Sequence, residues 1–161
     1  MSAPPLPFRI INWIGIIDQL AGSAANRLLL PLDLPLPQFT VLNHFSHRPG
    51  AESGGHTIMA LARALQQPQP GITKTVRKLV DKGFLAERTN PRDGRSKLLQ
   101  MTSKGIAAHQ AGIASLMPEL ARAFDSWSAE DMQRLFADLD RLKVWLDADR
   151  DGRPRDTGFD S

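Results

Sequence analysis

The sequence predicts a mostly helical fold with one small β element, a winged helix-turn-helix framed by long N- and C-terminal dimerisation helices. Three observations predict it. Six stretches carry apolar residues at helical spacing. A single stretch switches to strand-like alternation around an Asp-Gly pair, and positive charge gathers where helix gives way to strand.

The charge is uneven although the net value is only +3. Between Pro70 and Gly105 stand Lys74, Arg77, Lys78, Lys82, Arg88, Arg92, Arg95, Lys97 and Lys104, opposed by Asp81, Glu87 and Asp93, a local net of +6. Between Glu119 and Asp149 eight acidic residues outnumber four basic ones. A localised positive field suits a polyphosphate partner, because each neutralised phosphate releases condensed counterions. The 161 residues contain no cysteine, which excludes disulfides, thiol sensing and cysteine-held zinc. No run approaches the roughly 18 uncharged apolar residues of a membrane span. Met1 to Pro7 carries no basic charge before its apolar run, unlike a secretion signal. A cytoplasmic protein with no membrane partner is expected.

Residues 1–7, proline-rich, read as an unstructured lead. From Phe8 to Leu30 the first helix is apolar on more than one side, through Ile10, Ile11, Trp13, Ile14, Ile16, Ile17 and Leu20. A helix apolar nearly all round must be buried on most faces, which in so small a chain calls for a second subunit. Prolines 31, 35 and 37 end it and begin a second helix carrying Phe39, Leu42 and Phe45. Residues 49–56 are a loop by composition. Thr57 caps a short third helix with Ile58, Leu61, Ala62 and Leu65 inward, and Gln66 to Gln69 form a turn. The fourth helix opens with Pro70 near its first position, places Ile72, Val76, Leu79 and Val80 on one face, and ends at Gly83. Thr73, Lys74, Arg77 and Lys78 fall on its other face.

Phe84 to Arg88 and Lys97 to Met101 read as strands flanking Asn90-Pro91-Arg92-Asp93-Gly94-Arg95, with the Asp-Gly as hairpin turn, and Leu99 and Met101 inward. Thr102 caps a fifth helix reaching about Phe124, with Pro118 as a kink or break. Ser128 caps a sixth with Met132, Leu135, Phe136, Leu139, Leu142, Trp145 and Leu146 at helical spacing. The organisation expected is one domain over residues 8–149, with a DNA-binding lobe at about 36–101, dimerisation helices at about 8–30 and 102–149, and a disordered tail from 150 to 161.

Two tandem short helices, the second basic and hydroxylic outside, followed at once by a basic hairpin, match a helix-turn-helix with its wing. The second helix enters the major groove and reads base edges, while wing arginines reach phosphates or the narrow minor groove. The same residues resemble the MarR family of transcriptional regulators. Ile72 to Gly83 is similar to that family's recognition helix with its closing Leu-x-x-x-Gly. Glu87-Arg88, Asn90 to Arg95, Lys97, Leu99, Met101-Thr102 and Gly105 resemble its wing signature. Leu34 to Gly50 is similar to its second helix. The resemblance spans about residues 8–149 and departs from the family pattern in the Gln-Gln-Pro-Gln-Pro turn, in Met101 and in the spacing from Gly83 to Glu87-Arg88.

The resemblance implies a homodimer whose first, fifth and sixth helices interlock over a pseudo-palindromic double-stranded site. It implies that Asp93 holds the wing by pairing with Arg95 or a neighbour, that Arg95 meets DNA, and that a small-molecule effector relieves repression. DNA contacts are expected at Thr73, Lys74, Arg77, Lys78, Arg92, Arg95 and Lys97, with Arg88 equally suited to a surface ion pair. Asn12, Trp13 and His44 are candidates for an effector pocket, or else ordinary core residues. His44, His47 and His109 are better read as surface or core histidines than as zinc ligands, since zinc wants three or four ligands and cysteine is lacking; no metal and no cofactor is expected. Phosphate-binding glycine loops, Gly-x-Ser-x-Gly and His-Glu-x-x-His motifs are missing, so an enzyme is not expected. The alternatives are a helical protein–protein interaction module without specific DNA binding, and a small-molecule binding protein or enzyme built in the dimer groove.

Overall fold

The computed structural model describes residues 3–47, 56–91, 93–150 and 152. Most of the loop predicted at 49–56, Arg92, and the tail beyond Arg150 apart from Gly152 lie outside the described residues. The elements run α1 (Leu6–Leu29), a 3-10 turn (Leu30–Leu32), α2 (Leu36–Ser46), α3 (Ile58–Ala64), α4 (Gln69–Asp81), β1 (Leu85–Asn90), β2 (Asp93–Met101), α5 (Ser103–Ala123) and α6 (Ala129–Arg150). The chain divides into two compact units, Met1–Pro118 and Glu119–Ser161.

Within the first unit the core gathers the end of α1, helices α2 to α4 and both strands. Leu29, Leu42, Leu61, Ile72, Leu79 and Leu99 are wholly or almost wholly enclosed there. Each such side chain contributes about 1.5–3 kcal/mol through removal from water. Side chains tie the helices together: Asn26 Oδ1 accepts the Leu36 N–H at 2.9 Å, supplying α2 with the cap that Pro35 cannot. Ser115 Oγ of α5 donates to the Leu28 carbonyl at 3.1 Å. Gly112 lets α5 press on α2, since a Cβ there would stand 2.8 Å from two carbons of the Phe39 ring.

Helix α1 begins at Leu6, two residues ahead of the predicted start, because Pro5 and Pro7 fall at its cap and first turn, where a missing N–H is harmless. Its only buried residue is Leu29. Trp13, Ile17 and Leu20 are 58%, 59% and 68% exposed, so the described residues of the first unit leave this part of the apolar belt uncovered. Pro118 sits inside α5, which continues past it rather than breaking.

In the second unit Ser128 caps α6, accepting the Asp131 N–H at 3.0 Å and donating to Asp131 Oδ2 at 2.7 Å. Phe124 and Trp127 meet edge to face with centroids 5.5 Å apart.

Candidate nucleic-acid interface

Thr57 starts α3 by accepting the Ala60 N–H at 3.2 Å. The helix ends in a left-handed residue, Gln66 (φ 53°), with Gln67 N–H to Ala62 O at 3.1 Å and Gln66 N–H to Arg63 O at 3.3 Å. That pair of bonds turns the chain sharply into α4. At the far end Gly83 (φ 72°) closes α4 the same way, with Phe84 N–H to Leu79 O and Gly83 N–H to Val80 O, both 2.8 Å.

Between these ends Ile72, Val76 and Leu79 are buried, and Thr73, Lys74, Arg77 and Lys78 are exposed. At 100° per residue Pro70 and Lys74 point away from the core, Thr73 and Arg77 lie on one flank, and Gly71 and Lys78 on the other. The Thr73–Arg77 flank borders an open cleft of about 380 Å³ shared with Ile58 and Glu87. Thr73 donates its hydroxyl to Gln69 O at 2.9 Å, so toward a partner it offers an acceptor and a methyl group.

The hairpin pairs Leu85 with Met101, Glu87 with Leu99 and Thr89 with Lys97, then shifts so that Asn90 pairs with Asp93. Pro91 is a turn residue, and the Asp93-Gly94 step predicted as the turn lies within β2 instead. Side chains hold the irregular stretch. Asn90 Nδ2 donates to Ser96 Oγ at 2.8 Å, Ser96 Oγ donates to Asp93 O at 3.1 Å, and Asp93 Oδ1 accepts the Arg95 N–H at 3.1 Å. Asp93 thus reaches the Arg95 backbone amide. Arg88, Arg95 and Lys97 are exposed, and Arg92 is outside the described residues. Leu98 is buried as well as Leu99, and His56 bridges β2 on the side away from β1.

Lys82 and Lys104 have structural duties. Lys82 Nζ lies 2.9 Å from Asp33 Oδ1, donates to the Asp33 carbonyl, and donates to buried Gln38 Oε1 at 3.0 Å. Sequence reasoning counted Lys82 with the basic field and had no signal for partners 44 and 49 residues away. Lys104 Nζ donates to Lys82 O at 2.8 Å and stands 5.4 Å from the Phe84 ring centre. Thr102 hydroxyl donates to Gly83 O at 2.6 Å and accepts the Gly105 N–H at 3.0 Å, so one side chain joins the end of α4 to the start of α5.

Asn12 and Trp13 are exposed on α1, while His44 is half-buried with its ring 5.4 Å from that of His56. His109 is buried, stacked on Phe39 at 5.3 Å, and its Nε2 lies 3.1 Å from Asn43 Oδ1. Burial first, and the nearby His47 second, hold its pKa below the ordinary 6.5. Among the described residues no three His, Cys, Asp or Glu side chains gather where a metal could bind.

Solved proteins share this architecture. The MarR protein from Peptoclostridium difficile matches at a TM-score of 0.75 and 21% identity over 93% of this chain and 95% of that one. A MarR mutant from E. coli complexed with operator DNA matches at 0.66 and 24% identity, over 86% and 99%. The S. aureus MepR–DNA complex matches at 0.67 and 20%, over 88% and 99%. At these identities the likeness establishes the fold, a winged helix-turn-helix between long helices. The sequence model of the MarR family matches residues 32–96, which hold α2, α3, α4 and most of the hairpin.

Proposed function

We propose that the protein is a sequence-specific, double-stranded-DNA-binding transcriptional regulator, not an enzyme, that acts as a homodimer on a pseudo-palindromic operator in the cytoplasm. The observation that carries this reading is the exposed basic face of α4, Lys74, Arg77 and Lys78, standing in sequence order before a wing that exposes Arg95 and Lys97. Thr73 and Arg92 complete the proposed contacts. In division of labour, α4 reads base edges and the wing holds phosphates or the minor groove.

The homodimer is supported by apolar surface that a lone chain leaves in water. Ile10, Trp13 and Leu20 of α1, Ile113 and Met117 of α5, and Phe136 and Trp145 of α6 are all exposed. Burial at roughly 25 cal/mol per Å² favours pairing such surfaces. Residues 36–101 would then be the DNA-binding lobe and residues 8–30 and 102–149 the dimerisation helices. None of the described helices is long and apolar enough to cross a membrane.

Repression would follow from occluding a promoter. A small-molecule effector, seated near Asn12, Trp13 and His44, would release it by preferring a dimer whose lobes are spaced differently.

The test is selection from a random duplex library at near-physiological salt, with wild type beside Arg95→Ala. Enrichment of a two-fold-symmetric motif, weakened by the substitution, supports the reading. A wild type that enriches no motif at any salt overturns it.

A further inference from the structure

The C-terminal end of α4 is bonded to both helices that flank the lobe in sequence. On one side Lys82 Nζ reaches the corner where α1 and its 3-10 turn finish, 2.9 Å from Asp33 Oδ1 and bonded to the Asp33 carbonyl and, at 3.0 Å, to Gln38 Oε1. Asp33 is left-handed (φ 51°) and its N–H returns to Leu30 O at 3.0 Å, so the cation stands at a helix end, where the backbone dipole favours positive charge. On the other side Lys104 Nζ donates to the Lys82 carbonyl and the Thr102 hydroxyl to Gly83 O, both from the start of α5.

Lys82 differs in kind from the cations of the basic face. An ammonium group has three hydrogens, and three acceptors stand around this one, so none remains to offer a phosphate. Its side chain is 23% exposed, whereas Lys78, one turn earlier, is exposed to solvent. The apolar stripe of Ile72, Val76 and Leu79 holds α4 to the core through non-directional forces. The bonds at Lys82 fix its direction. Lys74 lies eight residues before Lys82, about 12 Å along the helix axis. A tilt of about 15° at the clamped end would swing Lys74 by about 3 Å, close to the rise of one base pair.

We propose that Lys82 is a positioning residue that sets the half-site spacing the dimer accepts. By tying α4 to the α1 corner through its side chain and to α5 through its carbonyl, it fixes the angle at which α4 meets each half-site, and it contacts no nucleotide itself. This rests on the DNA-binding and homodimer readings above.

The experiment measures binding of wild type, Lys82→Met, Asp33→Asn and Thr57→Ala to the site selected by the wild type and to the same site with one base pair inserted or removed at its centre. Asparagine tolerates the left-handed backbone at position 33 and removes the charge. Thr57→Ala loses the α3 cap, so it melts lower with the clamp untouched. Preference for the selected spacing is expected to fall about tenfold in Lys82→Met and about threefold in Asp33→Asn, and to be unchanged in Thr57→Ala. Base preferences inside each half-site are expected to persist in all of them. A spacing preference unchanged in both clamp variants would overturn the positioning role and leave the DNA-binding reading intact. So would a loss equal at every spacing with a salt slope reduced by about 1, the mark of a phosphate contact. A matching change in Thr57→Ala would overturn it as well, since any loss of stability would then suffice. A wild type that selects no two-fold-symmetric site would overturn this inference together with the readings beneath it.

Discussion

Gly105 lies so close to Phe84 that a Cβ on it would overlap the Phe84 carbonyl oxygen and stand 3.0 Å from the carbonyl carbon and 2.9 Å from Met101 Cγ. The obstacle on one side is backbone, which cannot swing away as a side chain can. This contact seats the first turn of α5 on the residue that follows α4, beside the Thr102 hydroxyl that bonds Gly83 O. It gives the Met-Thr-x-x-Gly pattern a physical meaning: a hydroxyl to cap the helix and a bare Cα to let it close.

Gly105→Ala should therefore destabilise the protein by about 1–3 kcal/mol, or more if Phe84 cannot shift, and Thr102→Val by about 1–2 kcal/mol through the lost cap. Urea titrations followed by circular dichroism measure both. Gly105→Ala with wild-type stability would show that the two segments do not press together.

The two ends of the helix-turn-helix should respond in opposite directions to glycine exchange. Gly83→Ala places a Cβ in the left-handed region and should cost about 1–2 kcal/mol, whereas Gln66→Gly relieves the same strain and should gain up to about 1 kcal/mol. The same melts decide it, and a loss of stability in Gln66→Gly would contradict the left-handed assignment at position 66.

Lys82 divides structural from surface charge. Lys82→Met leaves buried Gln38 Oε1 without its donor and is expected to lower stability by about 1–2 kcal/mol, discounted because Asp33 is largely exposed. Lys78→Met, four residues earlier and exposed, should leave stability within about 0.5 kcal/mol of wild type. Equal effects in the two variants would rule out the clamp.

His109 adds a pH dependence whose sign is fixed by its surroundings. Its folded pKa is lowered by burial and by His47, so the unfolded chain takes up the proton first as pH falls. The stability it contributes is complete above about 6.5 and declines below that value toward its lowered folded pKa. Wild type should lose stability as pH falls below about 6.5, and His109→Gln should show a flatter profile. A variant as steep as wild type would remove His109 as the cause.

Much of the helical framework was legible in the sequence because its signals are local. The Ile72, Val76 and Leu79 stripe, the Thr57 and Ser128 caps and the Gly83 terminus each fall within one or two helical turns. The hairpin was legible only in part. Asp93-Gly94 reads as a turn by propensity, but the Asn90–Ser96 bond joins the strands there and Asp93-Gly94 falls inside β2. Phe84 fell outside the first strand because its N–H is taken by Leu79 O at the end of α4. The Lys82 clamp was not legible, since it spans 49 residues, and neither was the role of His109, whose Asn43 partner is 66 residues away. The basic candidates on α4 all emerge exposed, while Asn12 and Trp13 on one side and His44 on the other show different surroundings, exposed helix and half-buried ring cluster.

Whether α4 and the wing form the DNA interface is decided by the salt dependence of binding to the selected duplex. Log K against log salt would be measured for wild type, Lys74→Ala, Arg95→Ala and Arg134→Ala, the last an exposed residue of α6. Each of the first two substitutions should weaken binding and reduce the slope by about 1, as for a lost phosphate contact, while Arg134→Ala should leave the slope unchanged. Slopes that are the same in all four proteins would contradict the claim.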